Sequence, residues 1–346
     1  MGKRGGRQAL ASLAAVLAVI STGIGPTASA PAADGSAKPW TKPLVARPDT
    51  LRFAVIGDRT GLARPGVFEQ AVKQVDWLQP EFLVNVGDLI EGYTGDAAEL
   101  EREWAPIQRS VEQLRIPFVY VAGNHDLGNE TMLRLWKERR GQPYYHFVYK
   151  DVLFLVLDTE DPPMDMPADF ATMFHDMAKR MQTDPVGTES AMRASLAKVN
   201  QDRAAGTSMA ALAALEGARF SDAQVDYALK VLRENSKVRW TFVLMHKPAW
   251  KLHSAAFDRI EKALSGRGYT VIAGHNHYYA HELRNGRDYI SMGTAGAVSH
   301  QEGPGRMDHI AWVTLADGAP QIALLRLDGI LDRDMRTGQT LLTSGR

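Results

Sequence analysis

The sequence reads Phe118-Val119-Tyr120-Val121-Ala122-Gly123-Asn124-His125-Asp126 where a short apolar run passes into a polar block. The run is rich in β-branched and aromatic residues and is bounded by glycine, which predicts a strand buried on both faces, as in a sheet covered by helices. Polar residues just past such strands lie at one rim of the sheet, where open α/β folds place their ligand sites. We therefore expect the polar block to belong to a functional site.

The same succession of apolar run and polar block occurs at four other places. Phe53–Ile56 precedes Asp58, Phe82–Val86 precedes Asp88, Trp240–Leu244 precedes His246, and Tyr269–Ile272 precedes Gly274-His275-Asn276-His277. Helical patterns at Pro65–Leu78, Ala97–Leu114, Thr131–Arg139 and Ser221–Asn235 lie between strand-like runs, and further strands are predicted at Tyr145–Tyr149, Val152–Leu157, Tyr289–Met292, His309–Leu315 and Gln321–Leu327. The pattern predicts a layered α/β domain in which five separated segments converge.

The residue types at these strand ends are those of a metal-ligand set. Asp, Asn and His offer oxygen and nitrogen donors without thiolate, which suits Zn, Mn, Fe, Co or Ni better than a soft-metal site. A carboxylate that binds two ions can hold them about 3.5–4 Å apart, the arrangement used for in-line phosphoryl displacement. The sequence therefore predicts a metal centre.

These motifs resemble those of the calcineurin-like metallophosphoesterases, which include purple acid phosphatases and many phosphodiesterases. The family pattern runs Asp-x-His, Gly-Asp, Gly-Asn-His-Asp/Glu, a lone His and Gly-His-x-His, and the likeness covers roughly Leu51 to Gly296. Gly123-Asn124-His125-Asp126 and Gly274-His275-Asn276-His277 are its most specific parts. The resemblance implies a four-layer α/β/β/α sandwich of two mixed sheets flanked by helices.

The resemblance also assigns a role to each residue. It implies two divalent or trivalent metal ions, with Mn, Fe or Zn favoured. Asp88 would bridge them, Asp58 and His277 would hold the first, and Asn124, His246 and His275 would hold the second. A hydroxide between the ions would attack phosphorus. His125 would protonate the leaving oxygen or stabilise developing charge, and Asp126 could orient its imidazole.

One position departs from the family pattern. The first motif normally carries His two residues after the Asp, whereas Thr60 stands there in this chain. A hydroxyl is a poorer ligand than imidazole, so the first metal lacks a donor. Purple acid phosphatases use a Tyr shortly after the bridging Asp, and Tyr93 or Glu91 could supply the missing ligand here. A water could also fill the position, or the first metal could bind weakly; we favour Tyr93 over Glu91.

Arg59 and Asn124 are also candidates for binding substrate. The guanidinium of Arg59 could grip a phosphate oxygen, or it could only make the loop rigid. Asn124, beside its role as a metal ligand, is expected to contact the phosphoryl group. The sequence alone does not decide between the two alternatives for Arg59.

The N-terminal residues predict export. A basic start at Lys3, Arg4 and Arg7 precedes an apolar stretch at Ala9–Ile24 and a small-residue cleavage signal. We expect a signal peptide at 1–32, a flexible leader at 33–50 and the metallophosphoesterase domain at 51–346, and therefore a secreted or periplasmic protein. The apolar stretch is too short and too interrupted for a stable membrane span.

Composition narrows the class of partner. Removal of residues 1–32 leaves 37 basic against 40 acidic residues, which gives no electrostatic case for nucleic-acid binding. A small-molecule phosphate ester is the expected substrate, and the sequence fixes no oligomeric state. The chain has no cysteine, so its stability rests on its core and on metal, as a domain of this size allows.

Residues 161–219 interrupt the alternation of strands and helices. They contain seven of the thirteen methionines, and Met173, Met177 and Met181 would share one helical face. This helical insertion is either a lid or cap over the metal site, where Met adapts to an apolar part of a substrate, or an ordinary amphipathic insertion packed on its own domain or on another subunit.

The sequence thus predicts a secreted or periplasmic dinuclear phosphoesterase that hydrolyses phosphate esters with His125 as general acid. Two alternatives stay open. One is a phosphodiesterase that acts on lipid headgroups or nucleotides, with the Met-rich insertion as its support. The other is a non-catalytic protein that uses a metal site for binding, because the first-motif His is missing.

Overall fold

Two mixed β-sheets pack face to face between two layers of helices. A computed structural model of the chain describes residues 41, 47–204, 216–299 and 301–339. The first sheet contains β1 (Leu51–Ile56), β2 (Leu83–Asn85), β3 (Phe118–Tyr120), β10 (His309–Leu315) and β11 (Gln321–Arg326), in the order β11-β10-β1-β2-β3. The second contains β4 (Tyr145–Tyr149), β5 (Val152–Val156), β6 (Trp240–Leu244), β7 (Tyr269–Ala273), β8 (Ala280–Arg284) and β9 (Arg287–Ser291), in the order β4-β5-β6-β7-β9-β8.

The helices cover the outer faces of these sheets. Along the chain they are α1 (Val67–Leu78), α2 (Ala97–Glu112), α3 (Glu130–Arg140), α4 (Ala168–Met181), α5 (Pro185–Ala204), α6 (Asp222–Glu234) and α7 (Ala255–Ala263). Four of them begin at capping side chains that accept backbone N–H bonds, namely those of Asp96, Asn129, Ser221 and Ser254. Within the described residues, no helix combines the length and apolar character needed to cross a bilayer.

Alternate side chains of the buried strands serve two different cores. In β1, Phe53 and Val55 lie between the sheets, whereas Ala54 and Ile56 pack against α1 and its neighbouring helices. In β5, Phe154 lies between the sheets while its neighbours pack against α6 and α7. Both faces of these strands are therefore buried. This explains why their sequences are continuous apolar runs and do not alternate between apolar and polar residues.

The predicted four-layer α/β/β/α sandwich is confirmed. β1, β2 and β3 run parallel, as do β5, β6, β7 and β9, and the remaining neighbours are antiparallel, so both sheets are mixed. The predicted helices and strands all exist with ends shifted by at most two residues, while the strand β8 and the helix α7 were not predicted. The predicted signal peptide lies outside the described residues.

The predicted insertion at 161–219 contains α4 and α5, and residues 205–215 lie outside the described part. The buried face of α4 is formed by Phe174, Met177 and Met181, which pack on Leu62 and Val298. Met173 is instead 51% exposed. The buried face of α4 therefore begins at Phe174 and not, as the stripe of methionines predicted, at Met173. Leu62 follows the first motif, and the inserted helix therefore covers the rim of the sheet that carries the polar blocks.

Candidate metal centre

The polar blocks meet because parallel strands end at the same edge of a sheet. The loops after β1 and β2 are tied together by the backbone: Arg59 and Thr60 donate N–H bonds of 3.1 and 3.0 Å to the carbonyl of Asp88. From the second sheet, the amide of His275 donates 2.9 Å to Asp58 Oδ1, which joins the two sheets across the rim. Segments separated in sequence therefore meet at one rim of the two sheets.

Three candidate ligands adopt a backbone conformation that non-glycine residues rarely use. The φ angles are 57° at Asp88, 71° at His275 and 49° at His277. Backbone strain of this kind persists only where the surrounding structure enforces it, and it concentrates at functional sites. Gly87 precedes Asp88 with φ 104°, and a Cβ there would lie 2.4 Å from His246 Nδ1, so only glycine permits this approach.

His246 lies at the centre of a group of acceptor atoms. Its Nδ1 donates 2.8 Å to the carbonyl of Val86, which leaves Nε2 without a proton in the neutral ring. That Nε2 lies 3.1 Å from Asp88 Oδ2, 3.0 Å from Asn124 Oδ1 and 3.3 Å from His275 Nδ1. Lone pairs so close together require a cation among them, either a proton or a metal ion.

A second group of donors overlaps the first. Asp58, Asp88 and His277 place ligand atoms within 4.8 Å of one another, as do Asp88, His246 and His275. His277 donates from Nδ1 to the carbonyl of Val298 at 2.7 Å, which orients the other ring nitrogen toward Asp58 at 3.9 Å. Hydrogen bonds from an imidazole to a backbone carbonyl fix the tautomer of metal-binding histidines. Asp88 is common to both groups, and the resemblance gave it the bridging role.

The electrostatics of the site also call for positive charge. Burial, together with the charge of Asp88, raises the pKa of Asp58 to about 7. Burial alone would lower the pKa of His246, but Asp88 and Asp58 raise it to about 9. Burial and the neighbouring His246 lower the pKa of His275 well below its usual range. Two buried carboxylates beside a neutral imidazole fit a cation that coordinates all three.

Two buried oxygens support the same interpretation. Asp58 Oδ2 and Thr60 Oγ1 have no hydrogen-bond partner within the described part of the chain. Buried polar atoms without partners are rare and costly, so a missing ligand is the simplest explanation. The residues present therefore fit a bound metal, and Thr60 places an oxygen where the family pattern has an imidazole.

The two residues predicted to fill that position are engaged elsewhere. Glu91 accepts backbone N–H bonds from Leu62 and Ala63, at 3.3 and 2.7 Å, and so braces the loop after β1. The hydroxyl of Tyr93 accepts a 2.6 Å bond from Asn124 Nδ2. That bond turns Asn124 Oδ1 toward His246, so in this arrangement Tyr93 supports the second group of donors. Ligation of a metal by Tyr93 stays a prediction.

The prediction that Asp126 orients the imidazole of His125 is wrong. Its carboxylate accepts N–H bonds from Asp88, Leu89, Ile90 and Gly123, at 2.8–3.3 Å. A carboxylate at this position turns the backbone around Asp88 and holds the bridging candidate in its strained conformation. Nδ1 of His125 instead donates 2.7 Å to the carbonyl of Glu91, which leaves Nε2 for proton transfer.

Arg59 braces the same loops in this structure. Its Nη1 donates 2.8 Å to the carbonyl of Leu89, and its guanidinium lies 6.0 Å from the centre of the Phe68 ring. This arrangement corresponds to the loop-bracing alternative. Substrate binding by Arg59 stays a prediction.

The inserted helix α4 contributes a residue that sequence reasoning missed. Phe174 lies 5.0 Å from His125 between ring centroids, and Tyr93 lies 4.7 Å away on another side. His175, next along the helix, contacts the carbonyl of Gly92 at 2.7 Å, and Gln182 donates 3.0 Å to that of Ala63. Phe174 has the helical spacing of Met177 and Met181, so attention to aromatic residues in that stripe would have identified it.

Comparison with known proteins agrees with this geometry. Residues 51–187 match the family model for calcineurin-like phosphoesterase. Serine/threonine-protein phosphatase CPPED1 of Mus musculus is 37% identical over 103 residues, which cover 27% of this chain and 31% of the mouse protein, and the Homo sapiens protein gives the same figures. The chain thus spans about a third of the length of these curated relatives.

A solved structure extends the likeness to most of the fold. The crystal structure of a dimetal phosphatase from Danio rerio superposes with a TM-score of 0.53 at 15% identity, covering 80% of this chain and 96% of that chain. At this identity the likeness concerns the fold.

Proposed function

We propose that this chain is a metal-dependent hydrolase of phosphate esters that uses two metal ions, supported by the match of residues 51–187 to the calcineurin-like phosphoesterase model and by the phosphatase relatives. One observation carries the proposal. Asp88 belongs to two overlapping groups of donors, one with Asp58 and His277 and one with His246 and His275. A carboxylate shared between two such groups is the arrangement that two-metal phosphoesterases use.

The protein residues have distinct parts in this proposal. Asp58, Asp88 and His277 would hold one ion, and Asp88, Asn124, His246 and His275 the other. When bound, the ions would supply Lewis acidity and lower the pKa of bound water toward neutrality. His125, held by the carbonyl of Glu91, would donate a proton from Nε2 to the leaving oxygen.

We infer that phosphomonoesters are the preferred substrates. The CPPED1 relatives are protein phosphatases by name, which supports a monoester such as a phosphorylated hydroxyl. Phe174 would place an apolar ring beside the leaving group, because it lies against His125. An aryl or alkyl leaving group fits this environment better than a strongly charged one.

The test combines metal analysis with turnover. We expect about two metal ions per chain by elemental mass spectrometry, and hydrolysis of p-nitrophenyl phosphate faster than that of bis(p-nitrophenyl) phosphate under added Mn²⁺, Zn²⁺ or Fe²⁺. Asp88→Asn should lose metal and turnover together, whereas His125→Ala should keep the metal and lose about 10²–10⁴-fold in kcat. One ion or none, with no turnover under any supplement, would favour the non-catalytic alternative.

We further propose that the protein is exported to the periplasm or the medium. Support comes from the basic start, the apolar stretch and the small residues before position 32. Expression of the full chain in a bacterial host, followed by fractionation and intact-mass analysis, tests this. Recovery of an unprocessed chain from the cytoplasm alone would contradict it.

A further inference from the structure

A cavity of about 690 Å³ opens between the edge strands β3 and β4. It is lined by residues from both strands and by the end of α3, among them Phe118, Tyr120, Trp136, Arg140, Phe147 and Val148. Its volume falls within the range of small-molecule pockets. Neither this cavity nor its lining includes a candidate metal ligand.

The walls of the cavity are largely aromatic and its mouth is apolar. Val148 is 48% exposed and Tyr149 41% exposed, both on the edge strand β4. Phe147 stacks on Phe154 at 4.7 Å, so its ring is fixed by the core between the sheets. An exposed apolar surface that leads into a concave aromatic pocket is a signature of ligand binding.

One cationic side chain lies in this apolar setting. The guanidinium of Arg140 lies 4.0 Å from the ring centre of Trp104, 4.3 Å from that of Tyr120 and 5.1 Å from that of Trp136. Its Nε and Nη1 are buried and have no hydrogen-bond acceptor within the part of the chain that the structure describes. The stacking holds the group in place but leaves these N–H donors unsatisfied.

The acidic residue of the cavity does not serve as its partner. Glu81 is paired with Lys150 at 2.8 Å and accepts bonds from the hydroxyl of Tyr149 and the amide of Arg52. The charge that remains uncompensated among the lining residues is therefore positive. A single guanidinium balances a singly charged head group.

We propose that this cavity binds an amphiphilic monocarboxylate, with its head group on Arg140 and a single apolar chain along the aromatic wall toward Val148. The head would pair with the guanidinium of Arg140 where this residue lines the cavity, and the chain would remove the apolar mouth from water. The proposal is independent of the metal centre, since its test measures binding directly.

Isothermal titration of the full chain with dodecanoate, below the concentration at which it forms micelles, tests the proposal. We expect one site per chain, with decanoate about tenfold weaker because two methylenes fewer are buried. Dodecyltrimethylammonium has the same chain and the opposite charge, and it should not bind measurably. Equal binding of the cation would overturn the assignment of the head group to Arg140.

Variants locate the site. Arg140→Gln should weaken dodecanoate binding by about tenfold or more, whereas Arg139→Gln, one residue earlier on α3 and paired with Glu101, should not. If Arg140→Gln does not fold, Val148→Asp and Val148→Lys provide a second test at an exposed position. Both add polarity, but the Asp variant should weaken binding more because its charge repels the carboxylate.

Hydrolysis of aryl phosphate should be unchanged in all of these variants, which separates this proposal from that for the metal centre. Sedimentation analysis tests whether a second copy of the chain covers this face in place of the carboxylate. A dimer that dissociates on Val148→Asp, together with no dodecanoate binding, would show that a second copy of the chain covers this face and would overturn the proposal.

Discussion

The ring of Phe174 lies against the imidazole of His125, with 5.0 Å between ring centroids. Phe174 belongs to the inserted helix α4 and His125 to the loop after β3, so the contact joins the insertion to the candidate general acid. The ring of Tyr93 also lies close to this imidazole, with 4.7 Å between ring centroids. The lid alternative for the insertion is favoured by this contact over packing remote from the site.

Replacement of this ring should affect turnover more than metal binding. For Phe174→Ala we expect a loss of about tenfold in kcat/KM for p-nitrophenyl phosphate, which corresponds to about 1.4 kcal/mol of ring packing and water exclusion. Metal content should not change, because Phe174 lies against His125, which is not itself a candidate metal ligand. Met173→Ala, on the exposed side of the same helix, is the control, and an equal loss in both variants would point to general destabilisation of α4.

Asp126→Asn should disturb the bridging position. An amide presents an NH₂ group to backbone N–H donors that now bind a carboxylate, so we expect the free energy of unfolding to fall by about 1–3 kcal/mol. Metal content should fall as well, because these donors position Asp88. Chemical denaturation and elemental analysis check both effects. Asp96→Asn, at the N-cap of α2, should keep its metal, and an Asp126→Asn variant with full metal content would contradict the positioning role.

Thr60→Val examines the oxygen that replaces the family histidine. Removal of a buried hydroxyl without a partner should stabilise the metal-free protein by up to about 1 kcal/mol. The same change should weaken metal binding, because Thr60 Oγ1 would contact the ion directly or through a water. Thr241→Val is a matched control, since its buried Oγ1 also lacks a partner among the described residues but belongs to the strand β6. Equal metal affinity in both variants would exclude a role for Thr60 in ligation.

Tyr93→Phe separates two roles for the tyrosine. The hydrogen bond from Asn124 Nδ2 leads us to expect weaker metal binding at the group that contains His246, since the amide loses its orientation. A tyrosine bound to Fe³⁺ would instead colour the protein, and the colour would vanish in the variant. Visible spectroscopy of the iron-loaded protein and metal titration distinguish these outcomes. Tyr227→Phe, which loses a bond to His146, is the control.

Asp158 should make stability depend on pH. Burial, with the charges of Glu160 and Asp161, raises the pKa of Asp158 to about 8, far above its value in the unfolded chain. The folded state therefore holds a proton that the unfolded state releases, so the contribution is present below about pH 4 and is lost as pH rises toward 8, by up to about 1.4 kcal/mol per pH unit. Asp158→Asn should lack this slope. Thermal unfolding at pH 5 and 8 checks it, and parallel curves for both proteins would contradict the assignment.

The sequence predicted which residues lie together where residue type and chain direction are linked locally. Asp58, Asp88 and His246 each follow a strand within two or three residues, and parallel strands must bring such positions to one edge. The roles of Asp126 and Glu91 could not be predicted in the same way. Each binds backbone groups of a loop that is distant in sequence, and a pattern of residue types contains no information on which donors lie nearby.

The sequence by itself determined the layered architecture and the set of candidate ligands, because alternating burial within strands and polar strand ends are properties of short segments. Only the tertiary structure decided how the sites are completed. Phe174 meets His125 because an inserted helix packs on Leu62 and Val298, and Arg140 lines a cavity because two edge strands from different sheets lie side by side. Such contacts arise from the packing of distant elements, which fixes distances that no local pattern encodes.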